Sequence, residues 1–89
     1  MKEFIFEKAS VYVMIRSWAS GLPSSDVALY VKRPAGLVCR LLLPEVLAER
    51  RARKIDERTL VVEEWHDKDD QWIRIMSLTI SDTVGIGKP

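Results

Sequence analysis

Apolar positions in residues 9–20 recur at roughly helical spacing: Val11, Tyr12, Ile15, Trp18 and Ala19 fall on one stripe. Val13 and Met14 interrupt the stripe, and Val-Tyr-Val-Met-Ile alone also suits a strand. The ending favours a helix. Gly21 stands where a left-handed C′ residue belongs, Leu22 follows it, and Pro23 stops continuation. Residues 1–7, with Phe4, Ile5 and Phe6, suit a short strand or an extended lead-in. After the proline, Ser24 and Ser25 offer N-cap hydroxyls and Asp26 brings negative charge to a first turn. Val27, Tyr30 and Val31 then fall at i, i+3 and i+4, predicting a second, short helix. It must end before Pro34, because the residue preceding a proline avoids the helical region. Pro34-Ala35-Gly36 signals a turn.

Residues 36–54 admit two readings. One is a long helix with Leu37, Leu41, Val46, Leu47 and Ala48 facing inward, kinked at Pro44 at about 3 kcal/mol. The other makes residues 37–43 a strand or link and Pro44 the first residue of a helix over 44–54. In both, residues 44–54 are helical, with Glu45 in the first turn and Arg53 and Lys54 in the last. Residues 59–80 read as a β-hairpin. Two β-rich runs flank the polar loop 66–71, and Trp65 and Trp72 are placed to pair across it. The chain is thus expected to form one domain over residues 1–80 and a flexible tail over 81–89.

Composition supports a globular domain: 89 residues, 47% of them hydrophobic and 30% charged. Cys39 is the only cysteine, so no internal disulfide can form, and its apolar surroundings suggest a small core residue. A reducing compartment fits. The longest apolar run is too short to span a bilayer, and Glu7 and Lys8 interrupt any signal-like start. A cytoplasmic protein without membrane contact is expected. Net charge is only +1, but it is unevenly spread. Residues 24–58 carry eight Lys/Arg against five Asp/Glu, and residues 59–89 carry three against six.

Helix, short capped helix, turn, helix and hairpin in that order resemble the winged helix-turn-helix family. The resemblance covers residues 9–80. It rests on the Val11 to Trp18 stripe, the Leu22-Pro23-Ser24-Ser25-Asp26 approach, Val27/Tyr30/Val31, and Leu47 to Arg53 before the hairpin. It implies an α+β fold of three helices followed by a C-terminal hairpin, the helix after the turn reading double-stranded DNA. Pro44 in or beside that helix departs from the family pattern. So does an acidic hairpin carrying Glu63, Glu64, Asp67, Asp69 and Asp70.

Candidate chemistry narrows the choice further. The single histidine, His66, lies on the hairpin loop, so Cys39 and the serines have no evident base. No glycine-rich phosphate loop occurs, and the loop acids lack calcium-site spacing. A non-enzymatic protein without cofactor or metal is expected. On the DNA reading, Lys32, Arg33, Arg40, Arg50, Arg51, Arg53 and Lys54 contact mainly phosphate, and the protein acts as a homodimer. On the alternative reading, the protein is an interaction module, an adaptor or inhibitor of a larger complex. It then anchors a protein partner through Trp65 and Trp72.

Overall fold

A computed structural model describes residues 1–17, 24–80 and 84–87, the last four by backbone alone. The described residues form eight antiparallel strands and no helix. β1 (Lys2–Ile5), β2 (Ser10–Arg16), β3 (Ser25–Arg33) and β4 (Gly36–Val46) make one sheet in sequence order. β5 (Arg50–Asp56), β6 (Thr59–His66), β7 (Gln71–Ile80) and β8 (Val84–Gly87) make the second. The inner faces of both sheets meet in one core. Val11, Val13, Val27, Leu29 and Val31 come from the first sheet, Leu60, Val62, Leu78 and Ile80 from the second, and Phe4 and Phe6 close one side. The molecule is flat, 40 × 24 × 17 Å, as two sheets packed about 10 Å apart require.

This architecture overturns the expected α+β winged helix with its three helices and helix-turn-helix. The reason lies in the period. In β2, Val11 and Val13 are buried while Tyr12 and Met14 are half-exposed. In β3, Val27, Leu29 and Val31 point inward and Ala28 and Tyr30 outward. Alternation by two therefore accounts for both segments, and β-branched residues suit it. The helical stripe through Val27, Tyr30 and Val31 was incidental. The stop signal Gly21-Leu22-Pro23 and Trp18 lie outside the described residues.

The third expected helix, 44–54, is divided between two strands. Pro44 lies in β4, an edge strand, within a register shift where it has no partner on β3, a place that tolerates its missing N–H. The register of β3 and β4 shifts twice, near Arg40 and near Pro44, and such bulges blunt an open edge. Cys39, expected inside, is exposed on β4. The Pro34-Ala35-Gly36 turn is present between β3 and β4, with Gly36 at φ +130, a value that favours glycine.

The chain crosses between sheets at residues 47–49, and that crossing is tied at three points. Ser25 Oγ donates to the Ala48 carbonyl at 2.7 Å, and the Trp65 backbone N–H donates to the Glu49 carbonyl at 2.9 Å. Arg50 donates back to the Pro44 carbonyl at 3.0 Å. Each bond satisfies a backbone carbonyl where the ladder is interrupted.

The hairpin over 59–80 is present: β6 pairs with β7, and Trp65 is the register partner of Trp72. Residues 84–87 add β8 to the free side of β7, while 81–83 and 88–89 of the expected tail lie outside the described residues. No helix of the described residues is long and apolar enough to cross a membrane.

Candidate interaction surface on the second sheet

Alternation in β5 divides its basic residues between two faces. Ala52 packs against the core, so Arg51 and Arg53 point to the outer face of the second sheet. There the register places Arg51 and Arg74 on either side of Glu63, and Arg53 beside the fully buried Val61. Arg51 Nε and Arg53 Nε both donate to Glu63 Oε1 at 2.7 Å, and a second Arg53 nitrogen reaches Oε2 at 3.2 Å. The Glu63 side chain is only 8% exposed while the two arginines stay 40% and 47% exposed. One carboxylate thus anchors two guanidiniums, and three arginines share a face that carries a single buried glutamate. Among the described residues Arg74, on that face, makes no ion pair.

The next cross-strand row is aromatic. The Trp65 and Trp72 rings meet edge to face, with centroids 5.6 Å apart and planes at 69°, the geometry that ring quadrupoles favour. The Arg51 guanidinium lies 4.2 Å from the Trp72 ring centroid, a distance for cation–π attraction. Trp65 Nε1 donates to Asp67 Oδ1 at 2.8 Å, which fixes that indole against the hairpin loop. The loop is itself ordered. Asp69 N–H donates to the His66 carbonyl and Asp70 N–H to the Asp67 carbonyl, both at 3.2 Å. Asp70 takes φ +50, which aspartate tolerates better than most residues. Along one face, therefore, run a basic row and an aromatic row. The hairpin loop beyond them carries Asp67, Lys68, Asp69 and Asp70, with Asp67 bonded to Trp65 on that face and Asp69 4.0 Å from His66 Nδ1 on the inner one.

The inner side of the same end holds a different network. Arg50 is buried, its side chain 5% exposed, and its Nε lies 3.3 Å from Glu64 Oε2. His66 Nε2 lies 3.0 Å from the other oxygen of Glu64. These groups tie the sheet crossing to the hairpin end and offer little to a ligand. Lys54 donates to the Ile5 carbonyl and to Glu57, both at 2.8 Å. Lys32 and Arg33 sit at the end of β3, and Arg40 on β4. The seven basic residues expected on one DNA-contacting surface thus lie on both sheets and on both faces of β5.

Glu63 gives this surface a measurable signature. The Arg53 hydrogen bond, aided by Arg51 and opposed by burial, holds its carboxyl down at about 2. An unfolded glutamate takes its proton near the ordinary value of 4.5. Above that value both states are ionised and the stabilisation is complete. As pH falls from about 4.5 towards 2 the unfolded chain gains a proton that the native one refuses, so stability declines. Below about 2 the loss is finished. Solvent around the arginines reduces the size of the effect to about 1–2 kcal/mol. Urea titrations between pH 6 and pH 2 should show this decline, and Glu63→Gln should make it shallower, leaving the smaller share of Asp56, whose carboxyl the Arg58 backbone N–H also holds down. An unchanged profile in Glu63→Gln would mean that the arginines do not hold this carboxylate.

A second outer surface exists on the first sheet. Tyr12, Tyr30 and Cys39 form one cross-strand row, and Met14, Ala28 and Leu42 another, with Leu42 68% exposed. A shallow depression of about 350 Å³ between Arg16, Ala28, Leu42 and Pro44 marks one end. It offers apolar area but no set of directed polar groups. No three His, Cys, Asp or Glu side chains of the described residues could together hold a metal ion. No known protein family, curated protein or solved structure matches this chain.

Sequence reasoning named Trp65, Trp72, Arg51 and Arg53 but missed that they share a face, and missed Glu63 and Arg74 as parts of it. The signal was present as a period of two: Arg51 and Arg53, Glu63 and Trp65, Trp72 and Arg74 each alternate once residues 50–56 are read as a strand.

Proposed function

We propose that the protein is a non-enzymatic interaction module that docks a protein partner on the outer face of β5, β6 and β7, in the cytoplasm. One observation carries the reading: Trp72 lies in an edge-to-face pair with Trp65 and beneath Arg51, which Glu63 holds in turn. Trp and Arg supply most of the energy at protein interfaces. Side chains already locked by neighbours lose less entropy on binding. Among the described residues the helix-turn-helix that carried the DNA reading is absent, and the seven basic residues named for it lie on both sheets and on both faces of β5. The exposed Cys39 thiol suits a reducing compartment.

A photo-crosslinking residue at position 77, on the outer face of β7 beside the arginine row, tests this against the same residue at position 42, on the first sheet. In cells producing the protein, position 77 should give a discrete adduct that Trp72→Ala abolishes, with folding checked by circular dichroism. Adducts at position 42 alone would overturn the reading.

A further inference from the structure

The outer face of the second sheet is self-complementary, and the geometry points to a second copy of this chain as its partner. This rests on the interaction-module reading and deepens it. The order of charges along the β6–β7 hairpin is the basis. Three arginines (51, 53 and 74) surround one glutamate at the Glu63 level. Trp65 and Trp72 form the next row. The loop beyond holds Asp67, Lys68, Asp69 and Asp70, three carboxylates to one ammonium. A basic excess of two charges, an aromatic pair and an acidic excess of two charges thus follow one another along a single direction.

A two-fold axis at the tryptophan row, lying in the interface and across the strands, turns this order on itself. The arginines of each copy then face the acidic loop of the other, and the indole pairs meet at the centre. That is an isologous contact, in which each attraction occurs twice. It has the usual anatomy of an aromatic centre within a charged rim. Other arrangements of two such faces set arginine on arginine or loop on loop, and like charges opposed across an interface are disfavoured. The hydrogen bonds within the loop and from Trp65 to Asp67 hold the acidic end in place before contact.

Size sets the strength. Three strands about 4.8 Å apart and some eight residues long give a footprint on the order of 400 Å² per copy. A standard stable interface uses about 800 Å² per partner. The dimer is therefore weak, with a Kd on the order of 100 µM, and its charged rim makes it sensitive to salt.

Sedimentation of the purified full chain from about 1 µM to 1 mM at low salt tests the inference. A monomer–dimer equilibrium is expected, weakened about tenfold or more between roughly 20 mM and 500 mM NaCl. Arg74→Glu should weaken it about tenfold by removing the basic excess, and the double variant Asp67→Lys/Asp69→Lys should do the same by reversing the loop. Mixed together, these two variants should associate more tightly than either alone, because the acidic loop of the first then meets the intact arginines of the second. That rescue is not open to a variant that has merely unfolded. A monomer at 1 mM overturns the proposal, as does a dimer indifferent to Arg74→Glu or a mixture no tighter than its parts. A monomer in solution that still crosslinks another protein through position 77 in cells defeats the second copy as partner while leaving the interaction-module reading intact. A monomer in solution that also gives no adduct at position 77 defeats both.

Discussion

Leu29→Ala is expected to lower the unfolding free energy by about 3 kcal/mol, while Tyr30→Ala, one residue on, costs about 1 kcal/mol. Leu29 is 0% exposed, lies opposite Val13 and Leu41, and belongs to the core shared by both sheets. Its removal leaves a cavity lined by branched side chains that cannot close over it. Tyr30 lies on the outer face opposite Tyr12 and remains half-exposed. A domain of this size has roughly 5–10 kcal/mol in total, so the first change should lower the melting temperature by about 12–24 °C. The contrast also discriminates between the two periods. A helix through Val27, Tyr30 and Val31 would make Tyr30 the costly position and Leu29 the cheap one. Denaturant midpoints of the two variants decide the matter, and the reverse order would refute the strand.

The second large effect is expected at the crossing between sheets. Arg50→Ala should cost about 2–3 kcal/mol, since it leaves the Glu64 carboxylate without its guanidinium and the Pro44 carbonyl without a donor. His66 and partial exposure of Glu64 moderate the loss. Combining Arg50→Ala with Glu64→Gln should cost less than the sum of the two single changes by about 1 kcal/mol, as expected for side chains in contact. Strict additivity by urea unfolding would show that the pair contributes nothing as a pair. The buried arginine most useful to the fold is thus one that sequence reasoning assigned to phosphate.

The hairpin was the legible part of the chain. Its two runs are β-rich over eight and ten residues, its loop is polar, and Trp65 and Trp72 bracket it symmetrically. The Pro34-Ala35-Gly36 turn was legible for a similar reason, because proline and glycine restrict the backbone locally. β2 and β3 were hidden by coincidence of periods. In segments of seven to nine residues, apolar positions at i, i+3 and i+4 overlap those at i, i+2 and i+4. The cap-like Ser24, Ser25 and Asp26 then favoured the wrong choice. Ser25 proves to bond the Ala48 carbonyl, 23 residues away, a partner that no local pattern reveals. β5 was least legible. Arg-Arg-Ala-Arg-Lys has helix-forming propensity, and only Glu63 and Glu64 on the neighbouring strand make it a strand by pairing across. The interaction surface shared that fate. Its tryptophans could be named from the sequence, but the face that joins them to Arg51, Glu63 and Arg74 exists only after β5 is paired.

Residue-resolved chemical shifts on dilution, recorded at low salt from about 1 mM to 10 µM, test most directly where this protein makes contact. Substituting Trp18→Phe leaves only the indole N–H signals of Trp65 and Trp72. Those two signals should move together with the Arg74 amide, while the Met14 methyl and the Leu42 amide on the opposite sheet stay still. Movement at Met14 and Leu42 with motionless indoles would place the contact on the first sheet and contradict the account.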